Sequence, residues 1–237
     1  MIAENLKIVR EELIRASLRA GRRPDEVRLL AVTKGVSAAG IVEAVQADQF
    51  LFGENYVQEA CHKMEDVRRL LADEALFARL EWHFIGHLQR NKVKSVVNRF
   101  HCVQTVDSLN LACDLSRRCE EAGSRMDILL QVNIGEDPAK SGVLPQNAQQ
   151  LLQDMAGLPG VAIKGLMTIT PYSSDMEQIR LWYRRLRELR DGLHEVFNAL
   201  NLSELSMGMS QDFTVAVEEG ATIVRVGSAI FGERIKT

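Results

Sequence analysis

Short apolar runs rich in β-branched residues alternate along this chain with longer stretches in which apolar positions recur every three or four residues. The first pattern is that of a buried strand, the second that of a helix with one apolar face. Strands are predicted at residues 27–33, 50–52, 82–85, 102–105, 128–133, 161–167, 204–206 and 222–226. An opening helix is predicted over roughly residues 4–20. The clearest helical pattern covers residues 175 to about 200, where Ile179, Trp182, Leu186, Leu189, Leu193, Val196 and Leu200 fall on one face. Ser37, Ser108 and Asp175 stand where N-caps belong. Eight strands separated by helices imply a parallel sheet, and eight closes into a (β/α)8 TIM barrel. No Pro/Gly/Ser-rich linker, internal repeat or low-complexity tract interrupts the pattern, so residues 1–237 are expected to form a single domain.

Composition narrows the function classes. A hydrophobic content of 46% is ample for a core, and a net charge of −3 argues against nucleic acid or an anionic membrane as partner. No apolar run approaches the length of a membrane span. The opening Met1-Ile2-Ala3-Glu4-Asn5-Leu6-Lys7 lacks the basic and apolar regions of a secretion signal. Cys61, Cys102, Cys113 and Cys119 show no C-x-x-C spacing, and reduced thiols in a cytoplasmic protein are expected.

In such barrels the chemistry sits at the C-terminal ends of the strands, with phosphate bound by the loops after strands seven and eight. The first strand ends in Val32-Thr33-Lys34-Gly35, and Lys34 shares parity with Leu30 and Val32, so a straight strand would point it inward; taken alone, a lysine at a strand end reaching solvent is the other reading. The loop after strand seven reads Ser206-Met207-Gly208-Met209-Ser210, and strand eight leads into Val226-Gly227-Ser228. An inward amine facing small residues whose amides suit a phosphate is the equipment for holding pyridoxal 5′-phosphate (PLP) as a lysine Schiff base. Arg225 shares parity with Gly227. It either pairs with a carboxylate such as Glu218 or Glu54, or faces the pyridine nitrogen of the cofactor. In the second case the permanently charged guanidinium takes no proton from the ring and leaves it a poor carbanion stabiliser.

Other motifs weigh less. His83 and His87 give H-x-x-x-H but straddle a strand end, whereas a zinc pair of that spacing wants a helix. Gly227-x-x-x-x-Gly232 has P-loop spacing, yet Glu233 stands where a lysine is required. The basic run Arg184-Arg185-Leu186-Arg187 reads as a solvated helix face, and Met207 and Met209 as barrel packing.

Six segments carry a family resemblance. They are Leu30-Ala31-Val32-Thr33-Lys34, Phe52-Gly53-Glu54-Asn55-Tyr56-Val57-Gln58-Glu59, Trp82-His83-Phe84-Ile85-Gly86-His87-Leu88-Gln89, Gly165-Leu166-Met167-Thr168, Leu205-Ser206-Met207-Gly208-Met209-Ser210 and Val224-Arg225-Val226-Gly227-Ser228-Ala229-Ile230-Phe231-Gly232. With them the sequence resembles the PLP homeostasis proteins, single-domain relatives of the alanine racemase N-terminal barrel. The resemblance implies that Lys34 is the Schiff-base lysine and Arg225 the partner of the pyridine nitrogen. It implies that Ser210, Gly227 and Ser228 bind the phosphate, and that Asn55 and Met167 line the pocket. The chain departs from the family at Gly35-Val36-Ser37, where a proline is common, at Arg90 for serine and at Ser228 for threonine.

The expected function is a non-catalytic PLP carrier acting in vitamin B6 and amino-acid balance, a monomer that serves PLP-requiring apo-enzymes. The alternative is a PLP-dependent amino-acid racemase, which needs a second acid/base on the far ring face. Relatives take that group from an extra domain, for which a chain ending at Thr237, shortly after strand eight, is expected to leave no room. A lysine aldolase on the same barrel is a third reading and has no use for Arg225 at a ring nitrogen.

Overall fold

The computed structural model describes residues 1–232. Each predicted strand is present, in the order β1 (Arg28–Val32), β2 (Leu51–Glu54), β3 (Glu81–Phe84), β4 (Cys102–Val106), β5 (Met126–Gln131), β6 (Val161–Met167), β7 (Glu204–Ser206) and β8 (Ile223–Val226). Each pairs in parallel with the next, and β1 pairs with β8 through Leu30↔Arg225 and Ala31↔Val226, closing the barrel. The helices are α1 (Ile2–Arg19), α2 (Ala38–Gln46), α3 (Val57–Leu71), α4 (Glu74–Phe77), α5 (Val93–Val96), α6 (Leu109–Glu121), α7 (Ala148–Met155), α8 (Met176–Val196), α9 (Phe213–Glu218) and α10 (Ser228–Phe231).

Strand alternation divides the buried side chains into two sets. Phe52, Trp82, Phe84, Val103, Ile128, Leu130, Leu166, Leu205, Val224 and Val226 pack with the helices into the main core. Leu30, Val32, Leu51, Ile85 and Ile223 form a separate cluster, and Cys102, Leu129 and Met167 another; these fill the barrel interior. The same inward parity carries His83, Gln104, Ser206 and Arg225, all buried. The barrel is therefore packed with a mixture of aliphatic and hydrogen-bonding groups.

The pattern overshoots in places. β1 ends at Val32, because Thr33 already begins a turn closed by Val36 N–H on the Thr33 carbonyl at 2.9 Å, with Gly35 at φ 70°. α8 stops at Val196, which is exposed, and Tyr183 rather than the half-buried Trp182 anchors its buried face. Ser37 caps α2 by accepting Gly40 N–H at 3.2 Å, and Asp175 caps α8 by accepting Glu177 N–H at 2.9 Å. Ser108 occupies the N-cap of α6 without a side-chain hydrogen bond. The basic run of α8 is solvated at Arg184 and Arg185, as read, and its arginines also pair with carboxylates. Leu186 is fully buried, Arg185 pairs with Glu136, and Arg184 and Arg187 join Arg180 on the buried Glu219 of the α9–β8 connection. Met207 is buried as expected, but Met209 is exposed.

Helix α1 lies against α2, α9 and α10, across the seam where β8 meets β1. Asn5 Nδ2 donates to the Ile230 carbonyl at 2.8 Å, and Arg19 pairs with Glu218 at 2.8 Å. At the opposite barrel end from the strand C-termini, Arg28 bridges Glu81 (3.1 Å) and Glu204 (3.6 Å), and Lys164 pairs with Asp127. These charges rim a cavity of about 680 Å³. Among the described residues, no helix is long and apolar enough to cross a membrane.

Candidate functional site

Lys34 stands second in the turn that follows β1 and is half-buried. Extending the β1–β8 register by one step sets Gly227 beside Val32. A Cβ on Gly227 would meet Val32 Cβ at 3.3 Å, so the glycine keeps the space next to the lysine strand open. Ser210 Oγ accepts the Gly227 amide at 3.2 Å, and Ser228 opens α10 beside them. The loop carrying Ser210 is set by Gly208 at φ 91°, where a side chain would strike Ala216 and Phe213. Asp212, also buried, accepts Met209 N–H at 2.6 Å and fixes the same loop. Ser210 and Gly227, both partly exposed, are thus joined, with exposed Ser228 at the same barrel mouth.

Arg225 lies four residues deeper than Lys34 by the register and is buried. Neither Glu218 nor Glu54 is its partner: Glu218 pairs with Arg19 and Arg180, and Glu54 with Lys63. Its Nη1 donates to Ser206 Oγ at 2.6 Å and its Nη2 to the Thr168 carbonyl at 2.7 Å, both neutral acceptors. Ser206 then donates to Gln104 Oε1 at 2.6 Å, and Gln104 Nε2 bonds His83 Nδ1 at 2.8 Å. His83 accepts that bond because it is neutral: burial, with help from Arg28 and His101, pushes its pKa down to about 3. The hydrogen bonds run in one direction, from the guanidinium across the barrel to an imidazole. Burial lowers the Arg225 pKa as well, while the nearby Tyr183 and Asp212 raise it. Of five guanidinium N–H donors, two are used here and three remain.

Asn55, just past β2, keeps a buried Oδ1 with no hydrogen-bond partner. Gly86, past β3, touches it: a Cβ there would sit 2.1 Å from the Asn55 carbonyl oxygen. Met167 ends β6 and is wholly buried in the interior cluster, below the mouth. His83 and His87 do not form a metal pair, since His83 is engaged with Gln104, and the described residues hold no group of three metal-binding side chains. Glu233 lies outside the described residues.

The arrangement fits a phosphorylated pyridine aldehyde. Ser210, Gly227 and Ser228 lie at the mouth, Lys34 follows the neighbouring strand β1 and is half-buried, and Arg225 is a buried cation with two of its N–H groups bonded. The orphaned Asn55 Oδ1 adds an acceptor without a mate. Sequence reading missed Gln104, Ser206 and Lys63. For the first two the signal was present, namely a polar residue at inward parity in an otherwise apolar strand. For Lys63 it was the i,i+4 pair with Glu59 on α3.

Comparisons with known proteins establish the family. Residues 5–235 match the model of the alanine racemase N-terminal domain family. An alanine racemase of Clostridium difficile shares the fold, with a TM-score of 0.71 and 14% identity over 98% of this chain and 57% of that one. The molecule is a racemase-type (β/α)8 barrel. A pyridoxal phosphate homeostasis protein of Aquifex aeolicus is 42% identical over 98% of this chain and 97% of its own length. One of Escherichia coli K12 is 38% identical over 98% and 97%. PipY of Synechococcus elongatus, solved without PLP, superposes with a TM-score of 0.84 at 39% identity, covering 98% of this chain and all of that one; its PLP-bound structure superposes at 0.82. The chain belongs to the pyridoxal phosphate homeostasis protein family.

Proposed function

We propose that this protein holds PLP through an imine on Lys34 and acts as a carrier in PLP homeostasis. Ser210, Gly227 and Ser228 receive the phosphate, Arg225 faces the pyridine nitrogen, and Asn55 and Met167 border the ring. The observation that carries this reading is Arg225: a buried guanidinium bonded only to a serine hydroxyl and a backbone carbonyl. A cation so placed holds no proton-accepting partner for the ring and keeps donors for its nitrogen. PLP, when bound, supplies an aldehyde carbon for the amine and a dianion for the loops.

The same residues argue for storage over turnover. Racemisation needs a second acid/base, and Tyr183, which interacts with Arg225, is buried and has its pKa pushed up by that burial. The carrier delivers PLP to apo-enzymes that require it, and a monomer suffices for that task.

Borohydride reduction of the loaded protein tests the site. The cofactor is expected to remain covalently attached to the peptide containing Lys34, and Lys34→Ala is expected to lose the yellow colour while staying folded. Attachment to another lysine, or undiminished colour in the variant, overturns the assignment. Steady-state assays with alanine, serine and glutamate test the carrier role, with rates expected far below the range of about 1–10³ s⁻¹ usual for enzymes.

A further inference from the structure

Lys63 lies on α3, away from the strand that bears Lys34, yet it is tied to that strand's end. Its side chain is 7% exposed, and its Nζ donates to the Thr33 carbonyl at 2.6 Å, Glu54 Oε1 at 2.8 Å and Glu59 Oε1 at 2.7 Å. Every one of these acceptors also grips the Lys34 segment. Glu54 Oε1 takes the Thr33 hydroxyl at 2.7 Å, and Glu59 Oε1 takes the Gly35 amide at 2.6 Å. The Thr33 carbonyl itself closes the turn with Val36 N–H. The residue before Lys34 and the residue after it are thus fastened to a single ammonium.

Such a cluster is a poor source of stability. Glu54 is fully buried, burial raises its pKa against the lowering effect of Lys63, and its Oε2 has no hydrogen-bond partner. Buried ion pairs of this kind cost desolvation that their attraction only roughly offsets. Their better-supported use is to fix one geometry among several.

We propose that Lys63, held by Glu54 and Glu59, is the positioning residue for Lys34, fixing the turn so that the Lys34 amine is delivered toward the Ser210–Gly227 cluster. The proposal rests on Lys34 being the imine-forming lysine. In that condensation the neutral Lys34 nitrogen adds to the aldehyde carbon. The C=O bond is replaced by C=N, and the oxygen leaves as water with the two nitrogen-borne protons. No electron is gained or lost. A preset backbone removes the freedom the amine would otherwise lose on reaching the carbon. The cluster also explains selectivity: Lys63 spends all three of its N–H donors on the Thr33 carbonyl, Glu54 and Glu59, which ties its Nζ to α3 and the end of β1.

The test mixes apo-protein with PLP and follows the rise of imine absorbance. In parallel it measures affinity for pyridoxine 5′-phosphate, which carries an alcohol where PLP has an aldehyde and cannot condense. Two variants are used. Lys63→Met removes the ammonium at similar length; Glu59→Leu releases Gly35 while leaving the buried Lys63–Glu54 pair to support the fold. Condensation is expected to slow about tenfold or more in each, with pyridoxine 5′-phosphate affinity unchanged to within about twofold. Lys63→Arg is expected to restore part of the rate. Wild-type condensation in a folded Glu59→Leu protein overturns the proposal, as does an equal loss of affinity for both ligands. Borohydride labelling of a lysine other than Lys34 in the wild type defeats the cofactor assignment itself, whatever these rates show.

Discussion

The hydroxyl of Ser210 accepts the backbone amide of Gly227 at 3.2 Å, joining the loop after β7 to the loop after β8. Seventeen residues separate the two in the chain. One hydrogen bond therefore sets the spacing of the donors assigned to the phosphate.

Ser210→Ala removes both that link and one donor to the anion. PLP affinity is expected to fall about tenfold, the worth of one charge-assisted hydrogen bond. Binding of pyridoxal, which has no phosphate, should be nearly unaffected. Equal losses for the two ligands in equilibrium titrations would place Ser210 away from the phosphate.

The Arg225–Ser206–Gln104–His83 chain predicts coupled stability effects. Ser206→Ala leaves a guanidinium donor without its acceptor, and Gln104→Leu leaves the Ser206 hydroxyl without its acceptor and His83 Nδ1 without its donor. Each is expected to cost about 1–3 kcal/mol in urea unfolding. The double variant should cost clearly less than the sum, because both remove the same chain. Strict additivity would show that the hydrogen bonds act separately.

His83 makes stability depend on pH. Its folded pKa of about 3 lies below the ordinary histidine value of 6.5. As pH falls below 6.5 the unfolded chain takes up a proton that the folded chain refuses, so stability declines progressively until about pH 3. By pH 5 the loss from this group alone is about 2 kcal/mol. His83→Asn, which keeps an acceptor for Gln104, should flatten the slope of urea midpoint against pH between 7 and 5. An unchanged slope would remove His83 as its source.

Gly86→Ala introduces a methyl group within 2.1 Å of the Asn55 carbonyl oxygen. The backbone must shift, at a cost of about 1–3 kcal/mol for forced overpacking. Because Asn55 moves with it, PLP affinity is expected to fall along with the melting temperature. Preserved affinity in a destabilised variant would show that Asn55 does not border the ligand.

The strands and the barrel were legible because buried parallel strands are runs of β-branched residues with helices between them, and eight such units close. Lys34 was singled out by parity and by its place at a strand end, but β1 stops at Val32 and the turn, not strand parity, sets its position. Its surroundings were not legible. Lys63 and Glu59 read as an ordinary i,i+4 pair on a helix surface, and only the packing of α3 against the end of β1 turns them inward. Arg225 carried two readings in the sequence, and the choice depended on where Glu54 and Glu218 spend their charge. Both carboxylates meet cations that are distant in sequence or on another element. The basic run of α8 is solvated as read, but its pairing was not legible for a related reason: nothing local announces that Glu219 meets Arg184 and Arg187.

Helix α1 clasps α9 and α10 across the seam between the first and last strands. During synthesis it emerges first and waits for partners made near the end. Lys34 is likewise made nearly two hundred residues before Arg225. At about 5–20 residues per second, that interval is on the order of 10–40 s. The two halves of the proposed site thus meet only once β8 leaves the ribosome, so under that proposal a nascent chain carries Lys34 without the loops assigned to the phosphate. Competence to capture a ligand arrives in a single late event, together with the closing of the ring.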